Sequence, residues 1–253
     1  KKNCKMSNET NVLIIAEAGV NHNGSLELAM RLVDAASASG ADLIKFQTFK
    51  ASNVASVFAE KADYQIQNMS NTKEKQVEML SKLELSEAYH LKLIDYCKLK
   101  KIGFFSTAFD LPSLEYLASL GLQNFKIPSG EITNLPYLRK VAEYGCDLII
   151  STGMATMDEI KDVIYTIEEN GLPRSKVTLL HCTTEYPAPI DEVNLIAMKT
   201  MRDTFNVKVG YSDHSNSDLA SIISVANGAK IIEKHFILNK KIKSPDSSFS
   251  YDP

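Results

Sequence analysis

Short β-branched apolar runs alternate along this chain with longer amphipathic ones. The short runs fall at residues 12–16, 43–46, 103–106, 124–127, 148–151, 177–181, 207–211 and 229–235. Each is about as long as a strand buried on both faces of a parallel sheet. Between them the apolar positions recur at helical spacing. Residues 25–39 put Leu26, Ala29, Met30, Leu32, Val33 and Ala36 on one face, with Gly40 as a stop signal. Residues 86–100 open on Ser86, a good N-cap, with Glu87 in the first turn. Residues 157–170 follow Thr156 and stop at Gly171, and further helical patterns cover 111–120, 135–144, 192–204 and 217–227.

Eight strands with helices between them predict an α/β fold with a parallel sheet. Eight such units in 253 residues suit a closed TIM (β/α)8 barrel, a fold of typically about 250 residues. No Gly-rich dinucleotide fingerprint follows the first strand, which argues against an open doubly wound sheet. The expected organisation is one barrel domain over residues 1–253, with a polar N-terminal extension at 1–11. Residues 50–85 make a long connection with a polar centre, which predicts a lid or a partner surface. No helical pattern follows the eighth strand. The last helix of the barrel is therefore absent, an apolar face is expected to stand open there, and further chain or a partner should cover it.

Composition narrows the function classes. With 44% hydrophobic and 23% charged residues the chain is neither disordered nor fibrous. It contains no apolar run of membrane-spanning length and no apolar signal core. A net charge of −3 gives no reason to expect nucleic acid or an anionic membrane as partner. Cys4, Cys97, Cys146 and Cys182 have neither metal-type spacing nor the density of a disulfide framework, so they read as reduced thiols in the cytoplasm. Cys97 and Cys146 are expected to pack beneath the barrel helices.

In a barrel of this kind chemistry gathers at the C-terminal strand ends, and every strand end here is polar. In chain order these ends carry Glu17; Lys45, Gln47 and Thr48; Ser106 and Thr107; Lys126, Ser129 and Glu131; Ser151 and Thr152; His181, Thr184 and Tyr186; Ser212, Asp213 and His214; and Glu233, Lys234 and His235, followed by Asp246. A single polar strand end is usually a cap or a turn, but eight together predict a site. Lys45 and Lys126, with the hydroxyls of Ser106, Thr107, Ser129 and Ser151, suit a phosphate or a phosphorylated carboxylate. The chain has 24 Lys and only 4 Arg, and no Arg stands at a strand end. His214 and His235 close neighbouring strands and could share a divalent ion, with Asp246 adding an oxygen; such a donor set suits Mn, Mg, Co or Fe better than structural zinc. Glu17 and Glu131 read either as ion-pair partners of the lysines or as groups for proton transfer or sugar hydroxyls. His90 reads as a surface helix residue, His22 as a group bonded to a loop or a substrate, and His181 as a buried, satisfied imidazole.

These strand ends carry recognisable motifs. IIAEAGVNHNG (14–24), IKFQTFK (44–50), FFSTAFD (104–110), FKIPSGEITNLPYL (125–138), IISTGM (149–154), LLHCTTEYPAP (179–189), VGYSDHS (209–215) and IIEKHF (231–236) resemble the sialic-acid synthases. The resemblance runs in order over about residues 12–246. It implies condensation of phosphoenolpyruvate with an acetamido hexose and water to give a nine-carbon ulosonic acid and phosphate. It implies His214 and His235 as ligands of a divalent metal, Mn2+ first and Mg2+ or Co2+ otherwise. It implies Lys45, Thr107, Lys126, Ser129, Ser151 and Ser212 around phosphoenolpyruvate. Around the sugar it implies Glu17, Gln47, Tyr186 and Asp246, with Thr184 where neuraminate-forming members often have Asn. Glu131 would lie near the reacting carbons.

FKIPSGEITNLPYL with HCTTEYPAP is most similar to the branch making legionaminic acid, and the acceptor that the resemblance implies is N-acetylmannosamine or 2,4-diacetamido-2,4,6-trideoxymannose. The Ser244-Pro245-Asp246 tail is more similar to the pseudaminic-acid synthases. Family members carry a small C-terminal antifreeze-like domain that supplies an Arg to the partner subunit of a homodimer; the chain as given lacks that domain. Three competing readings are a synthase acting on a sugar phosphate, disfavoured by the few Arg; a Schiff-base aldolase using Lys45 or Lys126; and a degenerate barrel that only binds a partner.

Overall fold

The computed structural model describes residues 12–71 and 73–253. The polar extension at 1–11, with Cys4, lies outside the described residues. In chain order the elements are β1 (Leu13–Gly19), α1 (Leu26–Ala38), β2 (Leu43–Thr48), α2 (Ala51–Val54), α3 (Asp63–Met69), α4 (Gln76–Ser81), α5 (Glu87–Lys100), β3 (Gly103–Ala108) and α6 (Leu111–Ser119). Then follow β4 (Asn124–Ile127), α7 (Leu135–Glu143), β5 (Asp147–Ser151), α8 (Met157–Glu169), β6 (Val177–His181), α9 (Ile196–Phe205), β7 (Lys208–Asp213), α10 (Leu219–Ala226) and β8 (Ile231–His235).

The eight strands close into one barrel in chain order, and every pairing is parallel, including β1 with β8. It is the TIM barrel that the strand–helix alternation predicts. Side chains alternate in and out along each strand. Ile15, Leu43, Phe105, Ile149, Leu180 and Ile231 fill the interior in one apolar layer. Two residues further along the same strands, the inward positions turn polar. Outward residues such as Phe125, Ile127, Leu148, Ile150, Leu179 and Val209 form the main core against the helices.

The helices begin where the sequence signals them. Ser25, Ser86, Asp110, Asn134 and Thr156 each accept a backbone N–H of the first turn, and Thr156 pairs reciprocally with Glu159. Helix α9 starts at Ile196, later than its periodicity predicts, because Pro189 leads into a 3-10 turn at Ile190–Glu192. Strand β1 extends to Gly19, so Glu17 lies within the strand.

Two expectations are corrected here. His90 is fully buried rather than a surface residue. It lies on the same face of α5 as Leu93 and Cys97, and that face packs on the barrel. Its Nδ1–H donates to Ser86 O (3.0 Å), and its Nε2 accepts from Thr48 Oγ1 (2.7 Å). Ser106 points outward into the same network, 2.7 Å from Thr48 Oγ1, so its hydroxyl does not face the barrel interior. Strand alternation puts Thr107 inside and Ser106 outside.

The connection at 50–85 is a structured cap made of α2, α3 and α4. Its underside is apolar: Met79 and Leu83 pack with Val20 and Phe49. Gly24 allows this close seating. Its φ is +74°, and a Cβ there would lie 2.2 Å from Lys82 O. The cap is tied to the segment after β8. Asn68 Nδ2 donates to Pro245 O (2.6 Å) and to Ser248 Oγ (3.1 Å), and Lys243 Nζ donates to Ser70 Oγ (3.1 Å).

No helix follows β8 among the described residues. Residues 236–253 instead fold back across the barrel mouth. Ile237 N donates to Tyr251 O and Tyr251 N to His235 O, and Phe249 is buried. Ile14, outward on β1 beside β8, is 39% exposed.

Candidate active site

The polar layer above the apolar one is built from inward positions of the strands. Lys45 sits at its centre. Its Nζ lies 3.2 Å from Glu17 Oε2 and 3.3 Å from Glu233 Oε2, and it donates to Thr107 Oγ1 at 2.9 Å. Lys126 Nζ lies 3.3 Å from Glu233 Oε1, which also accepts from Ser212 Oγ at 3.0 Å. Glu17, Lys45, Lys126 and Glu233 are all buried.

Burial sets their proton affinities. It pushes the Glu17 carboxyl up to about 7, with Lys45 pulling the other way. Burial also opposes the Glu233 charge, but Lys126 and Lys45 hold that carboxyl far below the usual range. Burial works against the Lys45 charge as well, yet Glu17 and Glu233 raise Lys45 above its ordinary value. Burial lowers Lys126, which has one carboxylate oxygen close by. The layer therefore sets two lysines against one firmly charged carboxylate, Glu233, and one whose carboxyl is raised to about 7, Glu17. Lysines and hydroxyls facing one cavity suit an anionic ligand.

A cavity of about 170 Å3 opens directly on this layer. Glu17, Lys45, Gln47, Thr107, Lys126, Ser129, Ser151, Tyr186, Ser212, His214 and His235 line it, together with Cys182 and Glu233. The structure thus brings together nearly every residue the sequence nominates. Asp246 is buried, its carboxyl pushed up to about 7 by burial. It lines an adjoining cavity of about 320 Å3 beneath the α2–α4 cap, which shares Gln47, Tyr186 and His235 with the first.

Glu131 and Thr184 line neither cavity. Glu131 sits on the 3-10 turn after β4, where Asn134 Nδ2 donates to its Oε2 at 2.6 Å. The Thr184 methyl packs over Gly153, where an added Cβ would lie 2.7 Å from it. His181 is satisfied by the fold, whereas His22 is bonded on one ring nitrogen and its Nε2 is buried with no hydrogen-bond partner among the described residues. His22 Nδ1 accepts from Gly24 N at 3.0 Å, and His181 Nε2 donates to Val193 O at 2.7 Å.

The two remaining imidazoles face each other with ring centres 5.6 Å apart. His214 Nδ1–H donates to Thr183 O at 2.7 Å, which leaves the lone pair on Nε2. His235 Nδ1 is buried with no hydrogen-bond partner among the described residues, and Asp246 Oδ2 stands 3.6 Å away. Burial lowers the pKa of both rings, His235 well below the ordinary value, so both are neutral and able to ligate. Among the described residues no three His, Cys, Asp or Glu side chains gather into a complete metal site. Two neutral imidazoles with ring centres 5.6 Å apart, one of them 3.6 Å from a carboxylate oxygen, suit an ion that keeps its remaining positions for oxygens of water or a ligand.

A model of the NeuB family matches residues 32–253. The chain belongs to that family. It is 53% identical to an N,N'-diacetyllegionaminic acid synthase of Campylobacter jejuni over 241 residues, 95% of this chain and 72% of the relative. It is 49% identical to the enzyme of the same name from Legionella pneumophila over 95% of this chain and 68% of the relative. Among solved structures, the sialic acid synthetase of Leptospira borgpetersenii, determined with citrate, superimposes with a TM-score of 0.86 at 33% identity. That match covers 100% of this chain and 82% of the other.

Sequence reading assigned Glu233 no role, although the signal was there. It alternates with Ile231 and His235 on the inward face of β8, and a carboxylate inside a buried strand needs cationic partners. Cys182 reaches the cavity by the same alternation in β6. The cavity-lining residues of α3 and α4, among them Gln65 and Gln76, had no comparable signal. Only the docking of the cap brings them over the barrel mouth.

Proposed function

We propose that this protein condenses phosphoenolpyruvate with the open-chain aldehyde of an acetamido hexose, using water and releasing phosphate, to give a nine-carbon ulosonic acid. The observation that carries this reading is the paired cavity: a lysine–hydroxyl chamber of anion-binding chemistry that opens, past two neutral imidazoles, into a larger half-apolar chamber. Lys45, Lys126, Thr107, Ser129, Ser151 and Ser212 would hold the phosphate and carboxylate of phosphoenolpyruvate. Gln47, Tyr186 and Asp246 would orient the sugar. A divalent ion at His214 and His235, Mn2+ first, would when bound polarise the aldehyde oxygen.

The chain's own work is positioning and charge stabilisation. C3 of phosphoenolpyruvate is aligned on the aldehyde carbon as the new C–C bond forms. Positive charge then develops at C2, where the carboxylates of Glu17 and Glu233 lie in the same layer. Water adds at C2 and one of its protons passes to the former aldehyde oxygen, which becomes a hydroxyl; the C2–O bond to phosphate then breaks as the C2 ketone forms, and the second proton leaves with the phosphate. Glu17 and Asp246, both raised to about 7, can hold or release a proton near neutrality. The apolar cap excludes bulk water.

The relatives' names support a diacetamido acceptor of the legionaminic branch. No Arg among the described residues lines either cavity, which disfavours a second phosphate pocket and hence a sugar-phosphate acceptor. No helix among the described residues is long and apolar enough to cross a membrane. Cys97, Cys146 and Cys182 are free thiols, which supports action in the cytoplasm. A homodimer is the expected assembly.

The test is phosphate release from phosphoenolpyruvate in the presence of Mn2+, with N-acetylmannosamine and 2,4-diacetamido-2,4,6-trideoxy hexoses as acceptors. Release that depends on one of these sugars and stops on chelation supports the reading. Trapping of a sugar by borohydride, with no metal requirement, would replace it with the Schiff-base alternative.

A further inference from the structure

The two imidazoles at the cavity are held in different ways. His235 lies inside the sheet, paired with Glu17 of β1. His214 stands one residue past the end of β7, and the last rung between β7 and β8 is Asp213 with Lys234. Among the described residues no ladder pairing joins His214 to β8. On the side of β6 its carbonyl accepts from Ala188 N at 3.0 Å. On the side of β8 a side chain takes over.

That side chain is Lys234. Strand alternation points it away from the cavity that His214 and His235 line. Its Nζ lies 2.8 Å from Asp213 Oδ2 and donates to Ser215 O at 2.7 Å. The residue before His235 thus grips both the residue before His214 and the residue after it. A further bond runs to Ser217 O at 3.1 Å, and the ammonium group sits 4.2 Å from the centre of the Tyr251 ring. Asp213 is fully buried. Its Oδ1 accepts from Ser215 N (2.9 Å) and Ser215 Oγ (2.7 Å), and its Oδ2 accepts from Ser221 Oγ of α10 (2.7 Å). An ion pair that only joined two strands would need no more than the contact with Asp213. The bond to Ser215 O acts instead on the main chain that carries the His214 ring, and hydrogen bonds from a charged donor are the strong ones.

We propose that Lys234 is a positioning residue: with Asp213 it clamps the main chain at 213–215 and so keeps the His214 ring facing His235. The clamp is a property of the chain. Its consequence, a divalent ion shared by the two rings, rests on the synthase reading above. Metal sites tolerate ligand distances only within about 0.2 Å, so a small displacement of His214 is enough to weaken the ion's hold.

The test uses Lys234→Met and Lys234→Arg in the full chain. Without metal, nuclear magnetic resonance of nitrogen-labelled histidine follows the His214 Nδ1–H, which is bonded to Thr183 O at 2.7 Å and is identified by its loss in His214→Gln. Lys234→Met should speed the exchange of that proton with water about tenfold or more, and Lys234→Arg, which keeps a cation, should speed it less. Equilibrium binding of Mn2+, read by electron paramagnetic resonance, should weaken about tenfold or more in Lys234→Met and less than about threefold in Lys234→Arg, with metal-free affinity for phosphoenolpyruvate changed less than about threefold in both. Leu117→Ala, a core change on α6, is the destabilised control and should move neither readout. Unchanged exchange in a folded Lys234→Met, or an equal effect in Leu117→Ala, would overturn the clamp. Ser221→Ala, which removes one bond from Asp213, should shift exchange in the same direction by less; no shift there beside an unfolded Lys234→Met would overturn it too. A wild type that takes up no Mn2+, while Lys234→Met still frees the His214 proton, would overturn the metal reading and leave the clamp standing.

Discussion

Lys126 and Glu233 lie 107 residues apart in the chain and 3.3 Å apart inside the barrel. The second oxygen of the same carboxylate faces Lys45, also at 3.3 Å. One acid thus holds both lysines that line the smaller cavity. Removing one partner of a buried ion pair leaves the other charge uncompensated, at a cost of about 3–5 kcal/mol. Glu233→Gln should therefore lower stability by about that amount in denaturant unfolding. Lys126→Met combined with Glu233→Gln should cost less than the sum of the single changes, with a coupling of about 1 kcal/mol or more. Strict additivity would show that the two side chains do not interact in solution.

Lys126→Met alone should weaken phosphoenolpyruvate binding at least tenfold, about 1.4 kcal/mol. Calorimetric titration of the folded variant measures this directly. Unaltered affinity would remove Lys126 from the phosphate chamber.

His235→Ala should leave the fold intact and abolish uptake of Mn2+, because it deletes one of the two imidazoles that line the smaller cavity among the described residues. Manganese bound after dialysis, read by electron paramagnetic resonance, checks the first effect, and metal-dependent phosphate release checks the second. A variant that keeps both its metal and its turnover would refute the ligand assignment.

Glu17 gives the protein a pH dependence of defined sign. Its carboxyl binds a proton more tightly in the fold, up to about 7, than at its ordinary value of 4.5. The stability it contributes is full below the ordinary value and is lost as pH rises through about 7. The upper limit of the slope across that interval is about 1.4 kcal/mol per pH unit. Asp246, raised to about 7 from 3.8, acts in the same direction. Wild type and Glu17→Gln should therefore diverge as pH rises from 5 to 8, with the wild type losing more in thermal melts under chelating conditions. Parallel curves would mean that Glu17 titrates at an ordinary value.

Much of this was legible from local rules. Strand–helix alternation implied the barrel, and caps at Ser25, Ser86 and Thr156 marked helices that form where expected. Period-two alternation along short strands is a steric property of the backbone, so polar residues two positions past an apolar inward residue had to enter the same interior. That is why Lys45, Thr107, Lys126, Ser151, Ser212 and His235 share one cavity. Position at a strand end alone places Ser106 with the inward group; the same alternation turns it outward, onto Thr48. His90 was misjudged because a helical histidine shows its face only when the helix is docked.

The amino-acid sequence by itself determined the architecture, the polar composition of the barrel mouth and the likeness to the sialic-acid synthases, because these rest on spacing and on the order of motifs along one chain. Only the tertiary structure decided which carboxylate ties the lysines together, that Glu131 and Thr184 line neither cavity, and that the 50–85 connection closes over a second cavity. Those relations join residues far apart in sequence. Their distances, burial and proton affinities come into being when β8 closes on β1 and the cap seats on the mouth, and no local pattern encodes them.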